Sequence, residues 1–470
     1  MTAAPQRGFD RSLVDGPIAR AVWLLAWPTM LQNVIGGLQG VVDHAMVGHF
    51  VGYTANAAIG VSLQIFLVVI VFIASLYSGM GVLVARFAGA GDADKVNRTV
   101  YQAFLASVAM SAIFAPLGYF LAPPLLTLVN ATPEVRAEAL PYLRLMFGAS
   151  IGMLLFFMFG GALRSAGDAR TPLRLGVLLT VLNIGFNLLL IPRLGTAGAA
   201  LGTVFAGAIV SGIAISLMFS GRLVVSWPKG LDKRPDWDII RQLFRFGLPT
   251  GVQGIAMNIG GVLMLRFIGS VQNSAEAQAA YAVGYTELFS LITGTSVGLM
   301  GAAAAVAGQN LGAGRPDRSI RAVHRAAGIG LGVAIVVGTL FLAMPGRLLA
   351  LFGMDDPTAV GIGTTLLTYL SVSGLFITVA LTYTGGLQGT GDTRSPLYIS
   401  IISQVVVPLG LCAVWQAMRR GAGEPGLRPT DIWTAILIGH ATRCALSVLR
   451  FRQGRWREIA VDIPSRPPSP

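Results

Sequence analysis

GALRSAGDARTPL (161–173) and GLQGTGDTRSPL (386–397) are one segment written twice. Gly167, Asp168, Arg170, Pro172 and Leu173 recur as Gly391, Asp392, Arg394, Pro396 and Leu397, at a constant offset of 224 residues. Two further pairs share nearly that offset. FAGAGDADKVNR (87–98) matches NLGAGRPDRSIR (310–321) through Gly89, Gly91, Asp94 and Arg98 against Gly312, Gly314, Asp317 and Arg321, and Pro28 in AWPTMLQ aligns with Pro249 in GLPTGVQ. Each half therefore reads as a copy of one ancestral unit. In an apolar chain, two repeated halves point to a transporter with its site between or within them.

The chain is apolar throughout. Hydrophobic residues make up 54% of it and charged residues 12%, with a mean hydropathy of +0.69. Apolar runs of about 20 residues, the length that crosses a bilayer core, recur twelve times: near 18–47, 56–85, 99–122, 138–163, 172–192, 196–220, 241–268, 277–308, 320–343, 359–388, 396–417 and 431–449. Lipid offers the backbone no hydrogen bonds, so these spans must be helices rather than an open sheet. The predicted fold is all-α integral membrane, with twelve transmembrane helices in two pseudo-symmetric six-helix lobes. The 59 glycines suit close approach of helix backbones. No cleavable signal is read at the N-terminus, and the first span doubles as the insertion signal. Cys412 and Cys444 are too few for a disulfide framework.

The net charge is +13, and its placement carries the information. With the N-terminus in the cytoplasm, 26 of the 34 Lys and Arg fall on the cytoplasmic side. Arg443, Arg450 and Arg452 are counted there, as the basic end of the last run. The bias predicts both termini inside. Arg419, Arg420 and Arg428 lie outside in this scheme, so the last hairpin is the one loop against the trend. The basic excess is a topology signal and not a nucleic-acid footprint. Membrane lipid is the expected macromolecular environment, with no nucleic-acid partner.

The predicted organisation is an N-terminal polar arm (1–17), a first lobe (18–223), a linker (224–240), a second lobe (241–449) and a basic, Pro-rich tail (450–470). The linker holds VVSWPKGLDKRPDWD (224–238), the most polar internal stretch. The tail reads as disordered, its positive residues suited to anionic lipid. Thr171-Pro172 and Ser395-Pro396 read as helix starts, a hydroxyl N-cap followed by proline at the first helical position. The Gly-Asp pairs before them read as tight turns. No GxxxxGK[ST] occurs, so an ion gradient rather than ATP is the expected energy source. Neither enzymatic activity nor an organic cofactor is expected.

Ionisable groups inside a span are costly and mark functional candidates. Asp43 lies in the first span, about 21 residues or roughly 30 Å past Val22, in the outer part of the bilayer. Asn183 and Asn187 stand at i,i+4 on one face of span five, and Thr203 begins span six from the same side. One carboxylate, two amides and a hydroxyl can bind a proton or an oxygen-liking cation such as Na⁺. Taken singly, the amides and the hydroxyl read equally as helix–helix glue. The repeat supplies a control: Asp43, Asn183 and Asn187 map near Met264, Val407 and Leu411. The scaffold is duplicated and the polar cluster is not, which favours a site in the first half. Glu287 sits inside span eight, where the first half has Leu63 or Gln64, and reads either as a proton or substrate group or as a local hydrogen bond. His44 points about 100° away from Asp43 on the helix. Gln253 and Asn258 in span seven read as cavity lining or glue, and Gln39 joins them as a candidate for the substrate cavity.

Together, Pro28 with DHAMVGH (43–49), the Gly-Ala-Gly loops after spans two and eight, and the Gly-Asp-x-Arg-x-Pro loops after spans four and ten resemble the multidrug and toxic compound extrusion (MATE) family, in its DinF-like bacterial branch. The similarity covers essentially the whole chain. It implies two six-helix lobes forming a V, and a monomeric antiporter of the bacterial inner membrane. Such a protein exports amphipathic, often cationic, compounds against inward H⁺ or Na⁺. The resemblance makes Asp43 the first-lobe proton or cation site, with Asn183, Asn187 and Thr203 at its partner positions and Pro28 as the hinge of helix one. Two departures bear on the ion. Many relatives carry Asp at the position of Asn187, so the single carboxylate here leans toward H⁺. The second-lobe acids that hold Na⁺ in other relatives fall on Met257 and Ile377, so that site should be absent. Glu287 matches a recurrent family Glu, while the Arg usual two residues before it is Tyr285. The alternatives are a major-facilitator transporter, whose GxxxDRxGRR-like loop is missing, and a lipid-linked-precursor flippase of the related superfamily, which predicts about two more spans and a basic cavity. A non-transporting scaffold or receptor would leave the first-half polar cluster unexplained.

Overall fold

The twelve apolar runs are helices in a computed structural model that describes residues 8–227, 234–423 and 426–463. They are α1 (Ile18–Phe50), α2 (Tyr53–Ala90), α3 (Ala93–Leu128), α4 (Pro133–Gly148 and Ile151–Ser165), α5 (Arg170–Leu194), α6 (Thr196–Phe219), α7 (Trp237–Ile268), α8 (Ser274–Gly312), α9 (Pro316–Ala343), α10 (Pro357–Gly389), α11 (Arg394–Gly421) and α12 (Pro429–Arg452). Ten of them are long and apolar enough to cross a membrane, and the two segments of α4 make an eleventh crossing if taken as one. The remaining run lies within α2, whose 38 residues exceed the ~20 that a span needs. The protein is a multi-pass membrane protein, all-helical among the described residues.

Three spans depart from straight helices. The run 138–163 was expected as one span, but it bends by 52° between Gly148 and Ile151. Gly148 is a weak helix former, and the second segment is drawn tightly onto α6. A Cβ on Gly152 would stand 2.6 Å from the backbone nitrogen of Ala208. In α8 and α11 the α-helical ladder slips into π-helix over Ala282–Leu288 and Ile402–Val406. Such slips are rare and cluster at functional positions.

The duplicated loops have the same backbone. Gly167 and Gly391 turn the chain at φ 103° and 100°, and Gly91 and Gly314 do so at 79° and 73°. Side chains rarely adopt these values and glycine adopts them freely. The caps differ from the sequence expectation. Arg170 and Arg394, not the prolines, open α5 and α11, and the capping group is the preceding aspartate. Asp168 accepts from the backbone N–H of Thr171 (3.0 Å) and from its hydroxyl (2.6 Å). Asp392 accepts from Ser395 in the same way, at 3.2 and 2.9 Å. Each carboxylate accepts both donors, one on each oxygen. Asp392 is 5% exposed and also receives Nε and Nη2 of Arg450, each at 2.9 Å. Replacing Asp392 with Ala should therefore cost ~2 kcal/mol, against ~1 kcal/mol for Asp168→Ala, which loses the cap alone. Thermal unfolding in detergent should rank Asp392→Ala below Asp168→Ala and both below the parent.

Helix approach is set by glycine where backbones nearly touch. A Cβ on Gly385 or Gly389 of α10 would run into the carbonyl oxygens of Met300 and Ala304 on α8, and one on Gly198 of α6 into that of Leu190 on α5. By compactness the chain divides into two units. The first is built on Trp27–Gly251 with the stretches ending at Asp15 and beginning at Ala460, and the second joins Gly16–Ala26 to Val252–Ile459. The dividing points in α1 and α7 lie beside Pro28 and Pro249.

The ends are more ordered than their composition predicts. In the arm, Leu13 and Val14 of a short helix are buried. The linker opens with Val224, Val225 and Trp227 buried, the indole packed on Tyr101, Phe104 and Phe159. The tail forms a 3₁₀ turn at Arg455–Glu458, with Trp456 stacked on Phe451 at 4.9 Å. Lys95 then holds Asp462 at 2.9 Å, which keeps that carboxyl below its usual range. Buried aromatics, not overall charge, decide order in these segments. The middle of the linker (228–233, with Lys229 and Lys233), residues 1–7, and the Pro-rich end (464–470) lie outside the described residues.

Candidate functional site

Three helices of the first unit bring the first-half polar residues together. α5 turns Asn183 and Asn187 to one face, one turn apart, and both are fully buried. α1 presents Asp43 to them, and α6 presents Thr203. Asn187 Nδ2 donates to Asp43 Oδ1 at 2.8 Å and to Asn183 Oδ1 at 3.3 Å. Asn183 Nδ2 donates to Thr203 Oγ1 at 3.1 Å, and the Thr203 hydroxyl donates to the carbonyl of Ala199 at 3.2 Å. Both amide hydrogens of Asn187 are thus committed to acceptors. Its Oδ1 is buried without a partner and faces Gly202.

Gly202 is what leaves room for that amide. A Cβ there would collide with Asn187 Oδ1 and stand 3.1 Å from its Cγ. Gly202→Ala should push the amide off Asp43 and lower gradient-driven transport by about tenfold or more, since ångström-scale misplacement of a positioning group costs up to about a hundredfold. Gly212→Ala on the same helix meets nothing within 4 Å and should transport like the parent. Equal transport by the two variants would remove Asn187 from the mechanism.

Asp43 opens onto a cavity of about 220 Å³, lined also by Gln39, His44, Tyr142, Phe157 and Thr203. A second cavity of about 320 Å³ shares Gly36, Gln39, Met153 and Phe157 with it and adds Gln32, Asn33 and Thr180. Gln39 stands at the junction, accepting from Thr180 Oγ1 at 2.8 Å. At the far side Arg164 Nη1 donates to Gln32 Oε1 at 3.1 Å. The walls are largely apolar, Met146, Met153, Phe156 and Phe157 among them, with a few convergent polar groups, the composition of a small-molecule pocket. His44 lines the same cavity, but its Nδ1 pairs with Asn56 Oδ1 of α2 at 2.5 Å. No group of three or more His, Cys, Asp or Glu able to hold a metal is found among the described residues.

The other candidates lie elsewhere. Pro28 is inside α1, where it removes the hydrogen bond to the carbonyl of Leu24. Glu287, read as a proton or substrate group or a local hydrogen bond, is exposed on the π segment of α8, with its backbone carbonyl taken by Ser290 Oγ. Gln253 is buried, donating to Ser400 Oγ at 2.7 Å and accepting from Gln388 at 3.3 Å. It ties α7, α10 and α11 of the second unit together and lines none of the cavities described above. Asn258 is exposed, donates to the carbonyl of Gly254 of its own helix at 2.9 Å, and lines none of the cavities described above. Sequence reasoning missed Arg164 in the first unit, and His440 and Arg443 of α12, each 2% exposed. The positions of the last two within the run 431–449 were the signal for them.

The sequence profile of the MatE family matches residues 28–189 and 249–414, one stretch in each repeated half. The chain is 27% identical over 451 residues to a probable multidrug resistance protein NorM of Thermotoga maritima, covering 93% of each chain. It is 28% identical over 457 residues to the protein of the same name in Deinococcus radiodurans, covering 93% of this chain and 96% of that one. A solved outward-facing conformation of a multidrug resistance MATE family transporter of the MOP superfamily aligns with a TM-score of 0.87 at 20% identity, over 96% of this chain and 99% of that one. At that identity the likeness is one of fold.

Proposed function

Given that the chain belongs to the MatE family of membrane transporters, we propose that it exports amphipathic, cationic small molecules in exchange for protons carried by Asp43. The observation that carries this reading is the hydrogen bond from Asn187 Nδ2 to Asp43 Oδ1 at 2.8 Å, at the wall of an apolar cavity. Asp43 is the one carboxylate among the residues named for that wall. A cationic substrate and a proton both neutralise it, so binding one displaces the other. That competition is the minimal device of an antiporter. The names of the relatives, multidrug resistance proteins, support a broad small-molecule substrate range.

The reading favours H⁺ over Na⁺ on donor chemistry. Na⁺ needs several hard oxygens. Asn187 turns its N–H, not its carbonyl, toward Asp43, and Asn183 Oδ1 already accepts from Asn187. A proton needs only the carboxylate. Both termini and the linker are placed on the cytoplasmic side of a bacterial inner membrane, on the Lys/Arg asymmetry. In a cysteine-free background, a cysteine at position 230 should resist an impermeant thiol reagent in intact cells while one at the exposed Gln272 reacts; labelling at 230 from outside reverses the orientation. The function itself is tested by efflux of a fluorescent cationic dye from proteoliposomes under separately imposed ΔpH and Na⁺ gradients. ΔpH alone should drive efflux. Efflux driven only by Na⁺ would refute the proton reading.

A further inference from the structure

The second unit holds a charge that its own side chains do not neutralise. Arg443 lies within α12, fourteen residues from Pro429 and nine from Arg452, roughly 20 and 14 Å from those ends. It is 2% exposed, and its Nε has no hydrogen-bond partner. The acids held at the two ends of α12 are engaged elsewhere: Asp431 with Arg419 at 2.8 Å, and Asp392 with Arg450 at 2.9 Å. Glu287 is exposed on α8. A buried, unpaired guanidinium is among the costliest groups a membrane helix can carry. Stability alone would favour an apolar residue there.

Other polar groups of α12 beside it also lack partners. His440 Nδ1, the Trp433 indole N–H and the Ser447 hydroxyl are likewise buried without partners. At ~100° per residue these three and Arg443 fall within an arc of about 80° on α12. Indole and guanidinium can only donate. On the facing side, Tyr285 stacks over His440 with centroids 6.3 Å apart, and Tyr281 over Trp433 at 6.1 Å. Both tyrosines belong to the region where α8 slips into π-helix. The same tyrosines, with Gln404, Pro408 and Ile436, line a cavity of about 160 Å³. That is about half the ~300 Å³ lower bound for drug-sized ligands; Arg443, His440 and Ser447 are not among its lining residues, and Tyr285, which lines it, stacks on His440.

We propose that α8 and α12 form an intramembrane site for a small monovalent anion, held by the Arg443 guanidinium with His440 and Ser447 beside it and reached past Tyr285. Arg443 and His440 lie beyond residue 414, outside the stretch that the family profile matches, and the site stands independently of Asp43.

The test is thermal unfolding of the purified full-length protein in detergent, in sodium methanesulfonate with chloride, bromide or formate added at constant ionic strength. Unfolding should shift upward by several degrees and saturate. The shift should vanish in Arg443→Met and need several-fold more anion in Ser447→Ala. A shift with halides identifies an inorganic occupant, and one with formate alone identifies the carboxylate of an organic ligand. No shift with any of the three, or the same shift in Arg443→Met, overturns the site. Should Arg443→Met not yield folded protein, bromide anomalous scattering in crystals of the parent decides: a peak beside the guanidinium supports the site, and its absence at saturating bromide refutes it.

Discussion

Asp43→Asn is expected to abolish ΔpH-driven efflux, at least about a hundredfold down to the leak of empty vesicles, with little loss of stability. The substitution is isosteric, and the new Oδ1 can still accept from Asn187 Nδ2, the bond that holds α1 to α5. Only the exchangeable proton is lost. Asp43→Ala differs in kind. It leaves a buried amide hydrogen without an acceptor, at ~1–2 kcal/mol, and should lower thermal stability as well as transport. Comparing the two separates coupling from folding. Undiminished ΔpH-driven efflux by Asp43→Asn would sink the assignment of the proton to this residue.

Asn187→Asp should make transport strongly stimulated by Na⁺, if the proposed proton coupling through Asp43 holds. The replacement puts a second carboxylate where an N–H donor now faces Asp43 at 2.8 Å. Two facing carboxylates repel while both are charged, and a cation between them relieves the repulsion. Asn183 Oδ1 and Thr203 Oγ1 stand ready as further hard oxygens once the Asn187 donor is gone. The effect on Na⁺ stimulation should be tenfold or more, read as efflux at fixed ΔpH with and without a Na⁺ gradient. Leu411→Asp, at the pseudo-equivalent position of α11, is the control. Leu411 packs against the hydrophobic core of the second unit, with no carboxylate placed to share a cation. That variant should lose stability and gain no Na⁺ response. A parental Na⁺ dependence in Asn187→Asp would reduce Asn187 to helix glue.

What the sequence revealed, and what it hid, follows from the range of the forces involved. The helices were legible because lipid imposes one length and one polarity on each span. The duplicated Gly-Asp turns were legible because φ near 100° at Gly167 and Gly391 admits little but glycine. The first-half cluster was legible because Asn183 and Asn187 share a face by helical period, and because their absence from the second half was visible in the repeat. The hidden features depend on registry between distant segments. The exposure of Glu287 depends on the π segment of α8, which no period in the sequence announces. Gln253 reads as cavity lining or glue until its bonds to Ser400 and Gln388, more than 130 residues away, show it joining helices. Arg443 passed as one more basic residue at the end of a span because charge counting treats such arginines as loop residues, whereas α12 continues to Arg452. Gly202 looks like any of 59 glycines until Asn187 is set against it.

If substrate and proton compete for Asp43, substrate binding expels a proton, and that release is measurable without a membrane or a gradient. Protein purified in detergent, held in weak buffer with a pH indicator and with Asp43 largely protonated, should release about one proton per transporter when saturating cationic substrate is added. Asp43→Asn should bind the same substrate more weakly and release none. Stoichiometric release that persists in Asp43→Asn, or tight binding by the parent with no release at any starting pH, would contradict the account.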